Sequence, residues 1–125
     1  MGHIGLLPQT VKAIGGYRKF GEPKEEAESI YTAAITLEEA GCFAIIAEML
    51  DQQVANDLSK QILPPLIGIG CGDGCDGQIL VTTDVLGWSH GQVPKFVKPY
   101  LNMNKLVSDA LGKYVDDVRF KKENS

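Results

Sequence analysis

Basic residues are scarce and scattered in this chain. Twelve Lys and Arg against 16 Asp and Glu leave a net charge of −4, and only Arg119-Phe-Lys-Lys122 gathers basic side chains. Phosphate recognition needs clustered Lys and Arg, so nucleic acid is not an expected partner. Long apolar runs are missing too. None approaches the length of a membrane span, and the N-terminus has neither the charged nor the apolar region of a signal peptide. No membrane partner and a cytoplasmic location are the expectation. Cysteine is limited to Cys42, Cys71 and Cys75, an odd number without a secretion signal, which fits reduced thiols. Cys71 and Cys75 are spaced C-x-x-x-C without a second pair, and His90 is the only downstream histidine, so a four-ligand zinc site is not expected. Internal repeats and low-complexity segments are absent.

What the chain does have is a glycine-rich junction. In Pro65-Leu-Ile-Gly-Ile-Gly-Cys-Gly-Asp-Gly-Cys-Asp-Gly-Gln-Ile-Leu-Val81, an apolar run ends in alternating glycines, acids and cysteines. Leu66 to Ile69 reads as a strand buried on both faces, since neither face carries a polar residue. The spacing Gly72-Asp-Gly74-Cys-Asp-Gly77 matches the dinucleotide fingerprint G-x-G-x-x-G, but that motif must open a helix. Gln78 to Thr83 is β-branched and suits a strand or a short irregular element. Aspartates in the loop would also repel a pyrophosphate. A tight glycine-shaped turn is therefore the better reading.

The remainder of the 125 residues, 44% of them apolar, suffices for one domain. Met1 to Leu7 looks like the end of a strand. Pro8 opens a short helix to Ile14, closed by Gly15-Gly16. A helix over Lys24 to Ala40 turns Ala27, Ile30, Tyr31, Ala34 and Leu37 to one side, and Gly41 stops it. Cys42 to Ala47 is a second all-apolar strand ending at Glu48. A helix begins at Asp51, carries Val54, Leu58 and Ile62 inward, and stops at Pro64-Pro65. Pro94 opens a helix through Tyr100, and a final helix from Asn104 docks Val107, Leu111, Tyr114 and Val118 on a core. Trp88 and Phe96 read as packing groups. Strands buried on both faces and alternating with helices are the mark of parallel βα units.

That arrangement brings polar residues together. In parallel βα units all strand carboxyl ends point one way, so His3, Glu48 and the glycine loop converge on one mouth. Glu48, at the end of an apolar strand, is the candidate general acid or base, because desolvation raises a carboxyl pKa. His3 offers a hydrogen bond to a substrate oxygen or is tied to backbone. Asp73, Asp76 and Asp84 either hold a hard cation or cap turns. His90, beside Gly91, reads as an exposed loop residue.

At this point the sequence resembles the ketopantoate hydroxymethyltransferase (3-methyl-2-oxobutanoate hydroxymethyltransferase) family. The segments that carry the resemblance are Met1-Gly-His-Ile-Gly-Leu-Leu-Pro-Gln9, Gly15-Gly-Tyr17, Leu37-Glu-Glu-Ala-Gly41 and Phe43-Ala-Ile-Ile-Ala-Glu48. Further on come Ile67-Gly-Ile-Gly-Cys-Gly72, Cys75-Asp-Gly-Gln-Ile-Leu-Val81, Asp84-Val-Leu-Gly87 and Pro94-Lys-Phe-Val-Lys98. The likeness implies an α/β fold that is the C-terminal half of a (β/α)8 TIM barrel, spanning 1–118, with 119–125 as a polar tail. It implies hydroxymethyl transfer from 5,10-methylenetetrahydrofolate to a small keto acid, 3-methyl-2-oxobutanoate, in pantothenate and coenzyme A biosynthesis. It also implies Mg2+ as cofactor, Glu48 as the catalytic proton acceptor and His3 as a substrate-binding residue. The family's metal-binding carboxylates belong to the first half of the barrel, and Met49-Leu-Asp51 stands where the family usually has Cys-Val-Pro. A full barrel takes about 250 residues, and half of one leaves open sheet edges. The expectation is a partial chain that is a homo-oligomer or pairs with an N-terminal half-barrel. The alternative is a non-catalytic remnant acting as an interaction or scaffold piece.

Overall fold

The computed structural model describes residues 1–89 and 93–123. Two compact units divide the chain, Met1–Ile79 and a second from Leu80 onward. The first is a βα unit repeated. Strands β1 (Gly2–Gly5), β2 (Ile45–Glu48), β3 (Leu66–Ile69) and the short β4 (Gly77–Gln78) form one sheet in the order β1-β2-β3-β4. Every pairing is parallel. Helix α1 (Lys24–Glu39) joins β1 to β2, and α2 (Gln52–Gln61) joins β2 to β3.

Both helices form for reasons written locally. Asp51 caps α2, its carboxylate accepting from the Gln53 amide at 2.9 Å and the Val54 amide at 3.3 Å. Pro64-Pro65 prevents continuation. At the other end of α1, Gly41 (φ 80°) donates to Glu38 O at 2.9 Å and Cys42 to Leu37 O at 3.1 Å. This pair of bonds is a Schellman cap, which requires a left-handed residue at the glycine.

The apolar stripes of both helices pack on one sheet face. Ile30 and Ala34 of α1 and Val54, Ala55 and Leu58 of α2 cluster with Ile4, Ile45, Ala47 and Leu66. Each Leu or Ile so enclosed contributes roughly 1.5–3 kcal/mol. Sequence alone suggested strands buried on both faces. Ile46 and Ile67, which point away from the helices, are instead only half-buried, because α1 and α2 cover a single face.

Several boundaries differ from expectation. Pro8–Thr10 is one 3-10 turn followed by irregular turns, not a helix to Ile14. β2 begins at Ile45 and includes Glu48 as its last residue. After Gly77 the chain pairs with β3 for two residues, so no helix opens where a dinucleotide site needs one. Helix α3 (Thr82–Val85) then begins within the segment Gln78 to Thr83, which reads from sequence as a strand or a short irregular element.

In the second unit, Pro94 to Tyr100 makes a single turn, with Val97 N donating to Pro94 O. Pro99 accounts for this, since the residue before a proline is pushed out of helical conformation. Helix α4 (Met103–Glu123) is present and reaches Glu123, within the segment 119–125 read as a polar tail. Of its expected inward face Val107 is half-buried, while Leu111 is 60% exposed, Tyr114 66% and Val118 41%. Periodicity reports an amphipathic helix, not the presence of a partner for its apolar side. Trp88 and Phe96 are likewise exposed rather than packed. No helix among the described residues is long and apolar enough to cross a membrane.

Candidate active site

β1 and β2 lie side by side, and their carboxyl ends place His3 and Glu48 together. The imidazole Nε2 is 3.3 Å from the carboxylate Oε2. Glu48 exposes only 17% of its side chain against 32% for His3. Burial pushes the Glu48 carboxyl above its ordinary range, and the charge and hydrogen bond of His3 draw it partly back. A half-desolvated carboxylate oriented by a neighbouring imidazole is suited to taking a proton from a weak carbon acid.

The turn after Glu48 is held tightly. Met49 is left-handed (φ 55°), a conformation that costs a non-glycine residue roughly 1–2 kcal/mol. Met49 N donates to Ile69 O at 2.9 Å and Phe20 N to Met49 O at 2.8 Å, so neighbouring segments fix the strained residue from both sides. Lys19, which nothing in the sequence singles out, donates its Nζ to Leu50 O at 3.1 Å and Gly70 O at 3.0 Å. Its only local sign was a lysine in a polar connector, where long-range partners leave no spacing signature.

The glycine loop after β3 completes the same mouth, and its acids and thiols serve structure. Asp76 accepts the Leu66 amide at 2.8 Å and Asp73 is exposed; Asp84 belongs to α3 of the second unit, where it accepts from the Ser89 hydroxyl. The Cys71 thiol donates to Ala47 O at 3.0 Å and receives Leu50 N at 3.2 Å. Burial pushes the Cys75 thiol up to about 11. Both thiols pack at the core beside the glycine turn, and burial favours their neutral form. His90 lies outside the described residues. A cleft of about 310 Å³ opens beside His3, lined by Gly5, Leu7, Phe20, Glu26 and Ile30 among others. Glu48 does not line it.

The described residues contain no group of three or more His, Cys, Asp or Glu side chains placed to hold a metal ion. The expected magnesium therefore does not fit the donors among this chain's described residues.

These features define a class: a parallel α/β protein with a carboxylate–imidazole pair at the carboxyl ends of adjacent strands. The sequence model of the ketopantoate hydroxymethyltransferase family matches residues 1–122, and the chain belongs to that family. Relatives named 3-methyl-2-oxobutanoate hydroxymethyltransferase include those of Enterococcus faecalis, 46% identical, and Thermoanaerobacter sp. (strain X514), 44% identical, each over 119 residues. Both alignments cover 95% of this chain and 43% of the relative. The Legionella pneumophila subsp. pneumophila relative is 44% identical over 95% of this chain and 45% of its own length. The chain thus spans less than half the length of the curated relatives it matches.

Proposed function

We propose that this chain supplies the general base of a 3-methyl-2-oxobutanoate hydroxymethyltransferase, with Glu48 as proton acceptor and His3 as a substrate-binding group. The observation that carries the reading is the raised, half-buried Glu48 carboxyl set 3.3 Å from His3. In the proposed reaction Glu48 takes the proton from the carbon next to the keto group. The electron pair left behind forms the new carbon–carbon bond to the methylene carbon of 5,10-methylenetetrahydrofolate. Both carbon–nitrogen bonds of that methylene carbon break, water supplies the hydroxyl, and tetrahydrofolate leaves carrying the Glu48 proton and one from water. His3 donates to an oxygen of the keto acid and holds the carboxylate in line. The magnesium that the resemblance implies would have to be held by residues outside this chain.

We assign residues 1–118 to the C-terminal half of a (β/α)8 barrel. In support, the four strands follow sequence order and both helices lie on one face, while Ile46 and Ile67 on the opposite face stay half-buried. In a closed barrel that face is the filled interior. The assembly is then a pairing with an N-terminal half-barrel or a homo-oligomer that completes the site, in the cytoplasm, where unpaired thiols persist.

The test is folate-dependent formation of ketopantoate from 3-methyl-2-oxobutanoate with magnesium, using this chain alone and mixed with an N-terminal half taken from a relative. Activity is expected only in the mixture and is abolished by Glu48→Gln. An active Glu48→Gln mixture refutes the assigned role. The exposed apolar side of α4 supports a second reading, a non-catalytic interaction piece. Silence from halves shown to associate would select it.

A further inference from the structure

The backbone from Glu48 to Asp51 is an unusually complete set of long-range hydrogen bonds. Leu6 N reaches Glu48 O at 2.9 Å, Met49 N reaches Ile69 O at 2.9 Å, and Asp51 N reaches Phe20 O at 2.7 Å. Phe20 N holds Met49 O, and the Cys71 thiol holds Leu50 N. The remaining carbonyl, Leu50 O, is taken by an ammonium group, Lys19 Nζ at 3.1 Å, which also binds Gly70 O at 3.0 Å. Leu50 follows Glu48 by two residues, and Gly70 is the first residue past β3. One charged side chain therefore ties the exits of β2 and β3 together.

The strap that presents this lysine is itself anchored. Arg18 makes two bonds to Glu26, at 3.0 Å and 2.5 Å, and lies 4.1 Å over the Phe20 ring. Gly21 N donates to the same Glu26 carboxylate at 2.7 Å. Residues on both sides of Lys19 are thus pinned to α1, so its reach across the two strand exits starts from a fixed base.

We propose that Lys19 is a positioning residue for Glu48. It locks the left-handed Met49 turn through Leu50 and Gly70, and so fixes where the carboxylate meets His3. Charge-assisted bonds to two carbonyls are stronger than neutral ones, and strain at a single residue persists only when its surroundings over-determine it. This inference rests on the reading of Glu48 as the base, but its test does not use turnover.

The experiment compares the wild-type chain with Lys19→Met, Lys19→Arg and Glu48→Gln by NMR. It reads the His3 imidazole chemical shifts at one fixed pH and amide exchange at Met49, Leu50 and Asp51. Charged and titratable groups around the turn are Lys19, Glu48, Asp51, His3 and Cys71, with Arg18 and Glu26 in the strap, and Glu48→Gln gives the His3 shifts when no carboxylate is present. In Lys19→Met the His3 ring shifts should move toward the Glu48→Gln values. The three turn amides should exchange roughly tenfold faster or more, about the effect of losing one strong hydrogen bond. Lys19→Arg, which keeps a charged donor, should restore both readouts. A folded Lys19→Met chain in which either the His3 ring shifts or the protection of the Met49, Leu50 and Asp51 amides stays at the wild-type value overturns the proposal. If Lys19→Met does not fold, Lys19→Gln decides on the same two readouts, since its shorter amide keeps the chain polar without spanning both carbonyls. Failure of the base reading would show separately, as activity in Glu48→Gln.

Discussion

His3 and Glu48 meet on the diagonal of the β1–β2 ladder rather than across it. His3 is in register with Ile46 and Glu48 with Gly5, yet the imidazole lies 3.3 Å from the carboxylate. Diagonal neighbours in a sheet are within reach of longer side chains, and here the pair brings an acid and a base to the last turn of two strands.

The pair sets a pH dependence of stability. Burial holds the Glu48 carboxyl above its ordinary range, so the folded chain binds that proton more tightly than the unfolded one. Its contribution is complete below the unfolded value and is lost as pH rises through the raised one. Glu48→Gln removes the effect. The urea midpoint of the variant should gain on wild type as pH rises from about 4 to about 8, followed by circular dichroism. A difference that stays flat would mean the carboxyl is not desolvated.

Gly5 guards the same turn. Its φ is 85°, and a Cβ there would collide with the Glu48 carbonyl oxygen and sit 2.7 Å from Leu50 Cδ2. The main obstacle is backbone, so the contact cannot be relieved by a rotamer change. Gly5→Ala should cost about 2–4 kcal/mol, combining the left-handed penalty with overpacking. Urea denaturation measures it. A loss below about 1 kcal/mol would show that β1 and the Glu48 turn separate freely, against the tight placement of the pair.

How far the sequence reveals this structure depends on the range of the interaction. Leu66–Ile69, the Asp51 cap, the Gly41 stop and the inward set Val54, Leu58 and Ile62 are all legible, because each rests on neighbours a few residues apart. The meeting of His3 and Glu48 follows from parallel topology. Lys19 was not legible, since its partners are 31 and 51 residues away. The exposed face of α4 misled for a different reason: spacing marks which side is apolar and says nothing about what covers it.

The thiols should be slow. A Cys75 thiol pushed to about 11 from 9.0 holds roughly 100-fold less thiolate near neutral pH. The greater nucleophilicity of a more basic thiolate recovers part of this. Cys75 alkylation in the folded chain should be at least roughly tenfold slower than in the urea-unfolded chain, with mass spectrometry reporting each site. Equal rates would mean that the glycine loop opens faster than the reagent attacks.

A last prediction concerns how the glycine loop sits on α2. A Cβ at Gly74 would collide with the Asn56 side-chain amide and lie 3.1 Å from Asn56 Cα. Ser59 Oγ meanwhile holds Gly74 O at 2.8 Å, so the loop cannot simply lift away. Among the described residues Asn56 Oδ1 is buried with no hydrogen-bond partner, and deleting such an atom costs little because no bond is lost. Asn56→Ala alone should therefore be close to neutral, while Gly74→Ala should cost about 1–3 kcal/mol by overpacking. Together they should recover much of that loss, giving a coupling of at least about 1 kcal/mol in a double-mutant cycle followed by urea denaturation. Effects that simply add would mean that the loop yields without regard to the Asn56 side chain. The close approach of Gly74 would then not be what holds the loop against α2.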